Sequence, residues 1–118
     1  MVPEMNLKGY ASVRIPVPVS VQNLLLRDYC KRNGHEYSLA DVEFVGEGFH
    51  MLQGTAEYAE GICAYSMDLF PLDEEKRDLI LQACEGKEIH FALENYIWPR
   101  DKEMLETLWR LKCLMQAP

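Results

Sequence analysis

The chain has 118 residues, 48% of them hydrophobic and 26% charged, which fits one globular core and excludes a disordered, collagenous or coiled-coil repeat protein. Nineteen acidic against twelve basic residues give a net charge of −7, and no Lys or Arg occurs between Arg32 and Lys76. A surface of that sign repels nucleic acids and anionic membranes, and no apolar run approaches the roughly 18–20 residues of a membrane span.

In chain order, residues 1–7 read as an N-terminal tail, with no apolar signal core in Met1–Lys8. Lys8–Val13 reads as a first strand. The prolines of Ile15-Pro-Val-Pro-Val19 then hold the chain extended, because a residue before proline is biased away from helix. Ser20 is the expected cap of a helix with an apolar stripe of Val21, Leu24, Leu25 and Tyr29, which Gly34 stops. Tyr37–Val45 reads as the second strand, Gly46-Glu-Gly48 as a loop, and Phe49–Glu60 as a weak helix interrupted by Gly54. Gly61–Ser66 has the short apolar content of a buried parallel strand. Pro71 and Asp73 open a helix with Leu72, Leu79, Ile80, Ala83 and Cys84 as its buried face, and Gly86 ends it. Lys87–Leu93 is the fourth strand. Asp101 is the expected cap of a last helix with a Met104, Leu105, Leu108, Leu111, Met115 stripe.

The alternation β-α-β-α-β-α-β-α predicts one α/β domain over 1–118: a small four-stranded, mainly parallel sheet with helices on both faces. Ligand sites in such sheets lie beyond the carboxyl ends of the strands. Those ends are expected at Ser12 and Arg14, Glu43 and Val45, Ser66 and Asp68, and Glu94 and Asn95. Cys30, Cys63, Cys84 and Cys113 form no Cys-x-x-Cys pair, so reduced, mostly buried thiols and a cytoplasmic location are expected.

The sequence carries no dinucleotide fingerprint, since the third glycine after Gly46-x-Gly48 would fall on Met51, and no phosphate loop or Gly-x-Ser-x-Gly. His35, His50 and His90 lack metal-ligand spacing. No cofactor and no metal are expected. Asn23 and Arg27, four apart, share a helix face with Gln22 and Asp28 nearby; they read as a polar row near the strand-one mouth or as a solvated face. Arg14 reads as a fixed guanidinium for a phosphate or carboxylate, or as the neutralising partner of Asp68 or Glu94. Ser66 suits a turn, and His90, alternating with apolar neighbours, suits a satisfied core or surface histidine, each beside its reading as a site residue.

Tyr10-Ala-Ser-Val-Arg14, Gln22-Asn-Leu-Leu-Leu-Arg-Asp-Tyr-Cys30 and Asn33-Gly-His resemble the opening of the resolvase/invertase catalytic fold, with Tyr65-Ser-Met-Asp-Leu69 in the place of its Leu-Asp-Arg-Leu motif. The position of that family's nucleophilic serine falls on Arg14, and that of its arginine beside Asp68 on Leu69. The resemblance therefore implies the fold and argues against recombinase activity. Ile15-Pro-Val-Pro-Val, the Gln22–Cys30 block, Tyr65-Ser-Met-Asp-Leu-Phe-Pro71 and His90-Phe-Ala-Leu-Glu94 together resemble the sporadic carbohydrate cluster family of bacterial surface-polysaccharide regions. This resemblance implies a setting in surface-glycan synthesis, and it raises Gln22, Asn23, Arg27, Asp28, Tyr29, His90 and Glu94 to candidate site residues.

The expectation is a protein that binds a sugar or nucleotide-sugar. Arg14 and Arg27 would hold its phosphate or carboxylate, with Ser12, Gln22, Asn23, Asp28 and Ser66 lining the site. Glu94, Asp68 and His90 are the candidate acid/base groups. Whether a reaction is catalysed stays open. The alternative is a non-catalytic interaction module that dimerises through the 101–116 helix, with Trp98 and Trp109 in its interface.

Overall fold

Successive residues of a strand point to opposite faces of the sheet, and the central strands of this chain are apolar on both. The computed structural model describes residues 5–43 and 50–116. Its strands are β1 (Asn6–Ser12), β2 (Glu36–Glu43), β3 (Gly61–Ala64), β4 (Glu88–Phe91) and β5 (Tyr96–Trp98), in the spatial order β2-β1-β3-β4-β5. The first four run parallel, and β5 runs antiparallel to β4. The helices are α1 (Val19–Arg32), α2 (His50–Tyr58), α3 (Glu74–Ala83) and α4 (Lys102–Gln116).

Side-chain alternation sorts the helices into two layers. Leu7, Cys63 and Ala92 pack on Leu26, Tyr29 and Cys30 of α1. Tyr10, Ile62, Ala64, Ile89 and Phe91 face the other way. They meet Leu52 and Ala56 of α2, Ile80 and Leu81 of α3, and Leu105 and Trp109 of α4. Phe70, Phe91 and Trp98 surround the Trp109 ring, Trp98 with its centroid 6.1 Å away at an interplanar angle of 60°. The Trp109 Nε1–H donates to the Met67 carbonyl at 3.2 Å. The Arg77 guanidinium lies 4.6 Å over the same ring and donates to the Pro71 and Leu72 carbonyls.

The sheet has five strands, one more than expected. The chain turns after Phe91, with Asn95 in the left-handed region at φ 62°, and returns as β5. Asn tolerates that conformation, and a three-residue strand carries too little alternation to show a period of two. The new edge is sealed. The Ile97 N–H donates to the Asp101 carboxylate at 2.8 Å, and the Asp101 N–H donates to the Ile97 carbonyl at 2.7 Å. The side chain expected as a helix cap thus closes a strand edge instead.

Other boundaries shift for local reasons. Residues 6 and 7 belong to β1, not to a tail, and Leu7 is fully buried. Pro18, not Ser20, precedes α1, with no side-chain cap bond. The buried side of α1 is Gln22, Leu26, Tyr29 and Cys30, while Val21 and Leu24 are exposed. Asp73 does cap α3, accepting the Lys76 N–H at 3.0 Å. Arg77 and Leu81 take the buried positions expected for Leu79 and Ala83, both exposed. Gly54 lies inside α2 without breaking it. Gly34 ends α1 at φ 73°, a conformation that favours glycine. The expected Phe44–Val45 strand end and the Gly46–Gly48 loop lie outside the described residues.

Candidate ligand site at the carboxyl ends of the strands

The strand order itself defines a crevice. From β1 the chain crosses to β2 on one side, then back over β1 to β3 on the other. In an open parallel sheet, that reversal leaves a gap at the carboxyl ends of the two strands it separates, here β1 and β3.

The register brings the expected residues to this rim. Tyr10 lies opposite Ala64, and the Tyr65 N–H donates to the Tyr10 carbonyl at 3.2 Å. The Leu93 N–H donates to the Tyr65 carbonyl at 3.0 Å, and Ser12 pairs with Glu43. The ends of four adjacent strands therefore set Glu43, Ser12, Ser66 and Glu94 in a row.

Each member of the row is held. Buried Gln22 reaches down from α1: its Oε1 accepts the Ser12 N–H at 3.0 Å, and its Nε2 donates to the Ser12 and Val17 carbonyls at 2.8 Å each. The Ser12 hydroxyl accepts the Arg14 N–H at 3.1 Å, which fixes the backbone from which the exposed Arg14 side chain projects. Ser66, 1% exposed, donates to Glu94 at 2.7 Å and accepts the Asp68 N–H at 3.0 Å. The second Glu94 oxygen accepts the Met67 N–H at 3.0 Å. Asp68 is exposed and pairs with Lys112 of α4 at 2.6 Å.

Sequence reasoning missed two partners here. The Tyr10 hydroxyl donates to buried Glu43 at 3.2 Å. Burial, with the Glu43 charge, pushes the Tyr10 phenol up, while the Arg14 charge opposes this and so lies at the same end of the sheet. Lys112, the partner of Asp68, comes from the far end of the chain. Pairings 33 and 44 residues apart leave no local signal.

Other candidates lie away from the rim. α1 runs back from it, so Arg27, eight residues past Val19, is about 12 Å along the helix. Asn23 accepts the Tyr37 hydroxyl, whose pKa burial pushes up to about 12. Asp28 pairs with Arg32 at 2.7 Å on the exposed side of α1. His90, fully buried under α1, bonds to the Tyr29 hydroxyl at 2.8 Å and to Glu88 at 3.1 Å. The His35 ring meets the His90 ring edge-on at 5.1 Å. Arg100 clamps both oxygens of Glu88. Burial lowers the His90 pKa against the opposing pull of Glu88. Burial raises the Glu88 pKa, but Arg100 and His90 outweigh this and lower it overall.

Among the described residues, no group of three His, Cys, Asp or Glu is placed to hold a metal ion, and no helix is long and apolar enough to cross a membrane. Cys30, Cys63 and Cys84 are buried free thiols and Cys113 is exposed. Two cavities, of 570 and 640 Å³, lie along the α3–α4 groove rather than at the strand ends. Asp73, Glu74, Glu75, Asp78 and Glu106 outnumber the cations in the first, which disfavours a phosphate there. The rim instead carries the exposed residue Arg14. No family model, no curated protein and no solved structure matches the chain.

Proposed function

We propose that the β1/β3 rim binds a phosphorylated sugar or nucleotide-sugar, in a cytoplasmic step of surface-polysaccharide synthesis. The observation that carries this reading is the reversal of strand order between the parallel strands β1 and β3, which sets Ser12 and Arg14 on one side of the crevice and Ser66 and Asp68 on the other. Arg14 receives the phosphate through paired hydrogen bonds. The α1 N-terminus begins at the same rim, and its dipole favours an anion. Glu94 holds Ser66 with one lone pair of an oxygen, and its remaining acceptor sites, with Asp68, take sugar hydroxyls. The glycan setting is supported by the sequence blocks that resemble the sporadic carbohydrate cluster family, and a resolvase-like fold by the placement of its matching segments. Tyr10–Arg14 spans the end of β1, Gln22–Cys30 lies within α1, and Tyr65–Leu69 follows β3.

A ligand-observed NMR screen of nucleotide-sugars, sugar phosphates and free sugars tests this. A phosphorylated hit that disappears in Arg14→Ala and weakens in Glu94→Gln is expected. A hit indifferent to both substitutions, or silence from folded protein, overturns the assignment. A second reading, a non-catalytic assembly module of the same pathway, is favoured by the apolar residues that α4 leaves exposed.

A further inference from the structure

Beneath α1, two thiols meet. Cys30 lies on the buried side of α1 and Cys63 within β3, and both are fully buried in one packed cluster with Leu7, Leu26 and Tyr29. Their sulfurs share a hydrogen bond. Both backbones are held. Cys63 pairs with Gly9 of β1 on one side and with His90 of β4 on the other, and the Cys30 carbonyl accepts the His35 N–H at 2.8 Å. Cys84 is buried as well, but in the cluster on the opposite face of the sheet, where burial alone pushes its thiol up to about 11.

We propose that Cys30 and Cys63 form a reversible disulfide that locks α1 onto β3 when the protein meets a hydroperoxide. The Cys63 S–H donates to the Cys30 sulfur, which holds the Cys30 thiol below its ordinary range against the opposing effect of burial. Cys30 is therefore the first to react, since the thiolate is the nucleophile. Its sulfur attacks one peroxide oxygen, the O–O bond breaks, and the departing oxygen leaves as water with the Cys30 proton. Cys30 becomes a sulfenic acid. The Cys63 sulfur then attacks the Cys30 sulfur, the S–O bond breaks, and the hydroxyl leaves as water with the Cys63 proton. Two thiols are oxidised to one disulfide while one peroxide is reduced to two waters, and a reducing dithiol reverses the step by exchange. The bond fixes the helix whose other end carries Gln22, the clasp on Ser12.

Peptide mapping of the full chain tests it, because trypsin leaves the four cysteines in separate peptides, 28–31, 33–76, 78–87 and 113–118. Folded Cys113→Ser protein, which lacks the exposed thiol, is treated with millimolar hydrogen peroxide, alkylated in denaturant and digested. The expected product is peptide 28–31 joined to 33–76 and released by dithiothreitol, with 78–87 recovered alkylated. The oxidised protein is expected to melt several degrees above the reduced one, since the bond closes the loop from residue 30 to residue 63. Cys30→Ser is expected to lose the linked peptide and the shift together. Equal linkage of 33–76 to 78–87, linkage that forms only in urea, or no linkage from protein with unchanged circular dichroism overturns the disulfide. A linked peptide with an unchanged thermal midpoint overturns the lock on α1. No readout here needs a sugar, so this proposal and the rim assignment fail separately.

Discussion

A primary amide both donates and accepts, and Gln22 uses both functions on a strand end. Gln22→Ala leaves the Ser12 N–H and the Ser12 and Val17 carbonyls without their partner. The expected cost is roughly 2–4 kcal/mol in urea denaturation. Gln22→Glu keeps the shape but cannot donate to either carbonyl, so it is expected to destabilise as well. His90 sets a pH dependence. Its folded pKa is depressed below the ordinary 6.5, so its contribution is complete above that value and is lost as pH falls through it towards the folded pKa. A thermal midpoint that drops from pH 7.5 to 5.5 in the wild type, and drops less in His90→Gln, is the expected result. Glu88, with a lowered pKa, contributes above its ordinary 4.5 and loses that contribution at more acid pH, in a separate window. The residue types at the rim were legible because strand ends follow from the alternation of elements. Their bonds were not, because Gln22 clasps a residue ten positions back across a proline loop, and Tyr10 meets Glu43 only when β1 and β2 pair.

The parallel strands and the helices follow from periodicity and from glycine and proline punctuation, with ends displaced by a few residues. The fifth strand was hidden because three residues give no period. The buried side of α1 was misread because a polar residue, Gln22, occupies its centre while Val21 and Leu24 stay outside. On α4 the expected stripe of Met104, Leu105, Leu108, Leu111 and Met115 splits: Leu105 enters the core beside Trp109, Leu108 is half-buried against it, and Met104, Leu111 and Met115 are exposed. Trp109→Ala is expected to cost about 3–5 kcal/mol, because it removes the ring on which Phe70, Phe91, Trp98 and Arg77 converge. Asp101→Ala frees the Ile97 N–H, while the Ile97 carbonyl keeps the backbone N–H of residue 101 as its donor. Faster amide exchange at Ile97, with little change at fully buried Ile89 of the neighbouring strand, is the expected signature.

At the scale of the whole molecule, the decisive fact is the order β2-β1-β3-β4-β5. It depends on which strands pair, and pairing between segments fifty or more residues apart is not encoded in any local window. The sequence predicts a parallel sheet; only the assembled sheet places the reversal between β1 and β3 and so selects one pair of strand ends over the others. Trp98 and Trp109 give that assembly a spectroscopic handle. Their rings, 6.1 Å apart and inclined by 60°, belong to the edge strand and to the last helix. Two indoles so close and so inclined couple their electronic transitions and split the far-ultraviolet dichroism into a signed pair of bands. The couplet vanishes when α4 lifts from the sheet even if the helix stays wound, so one optical measurement separates loss of docking from loss of secondary structure.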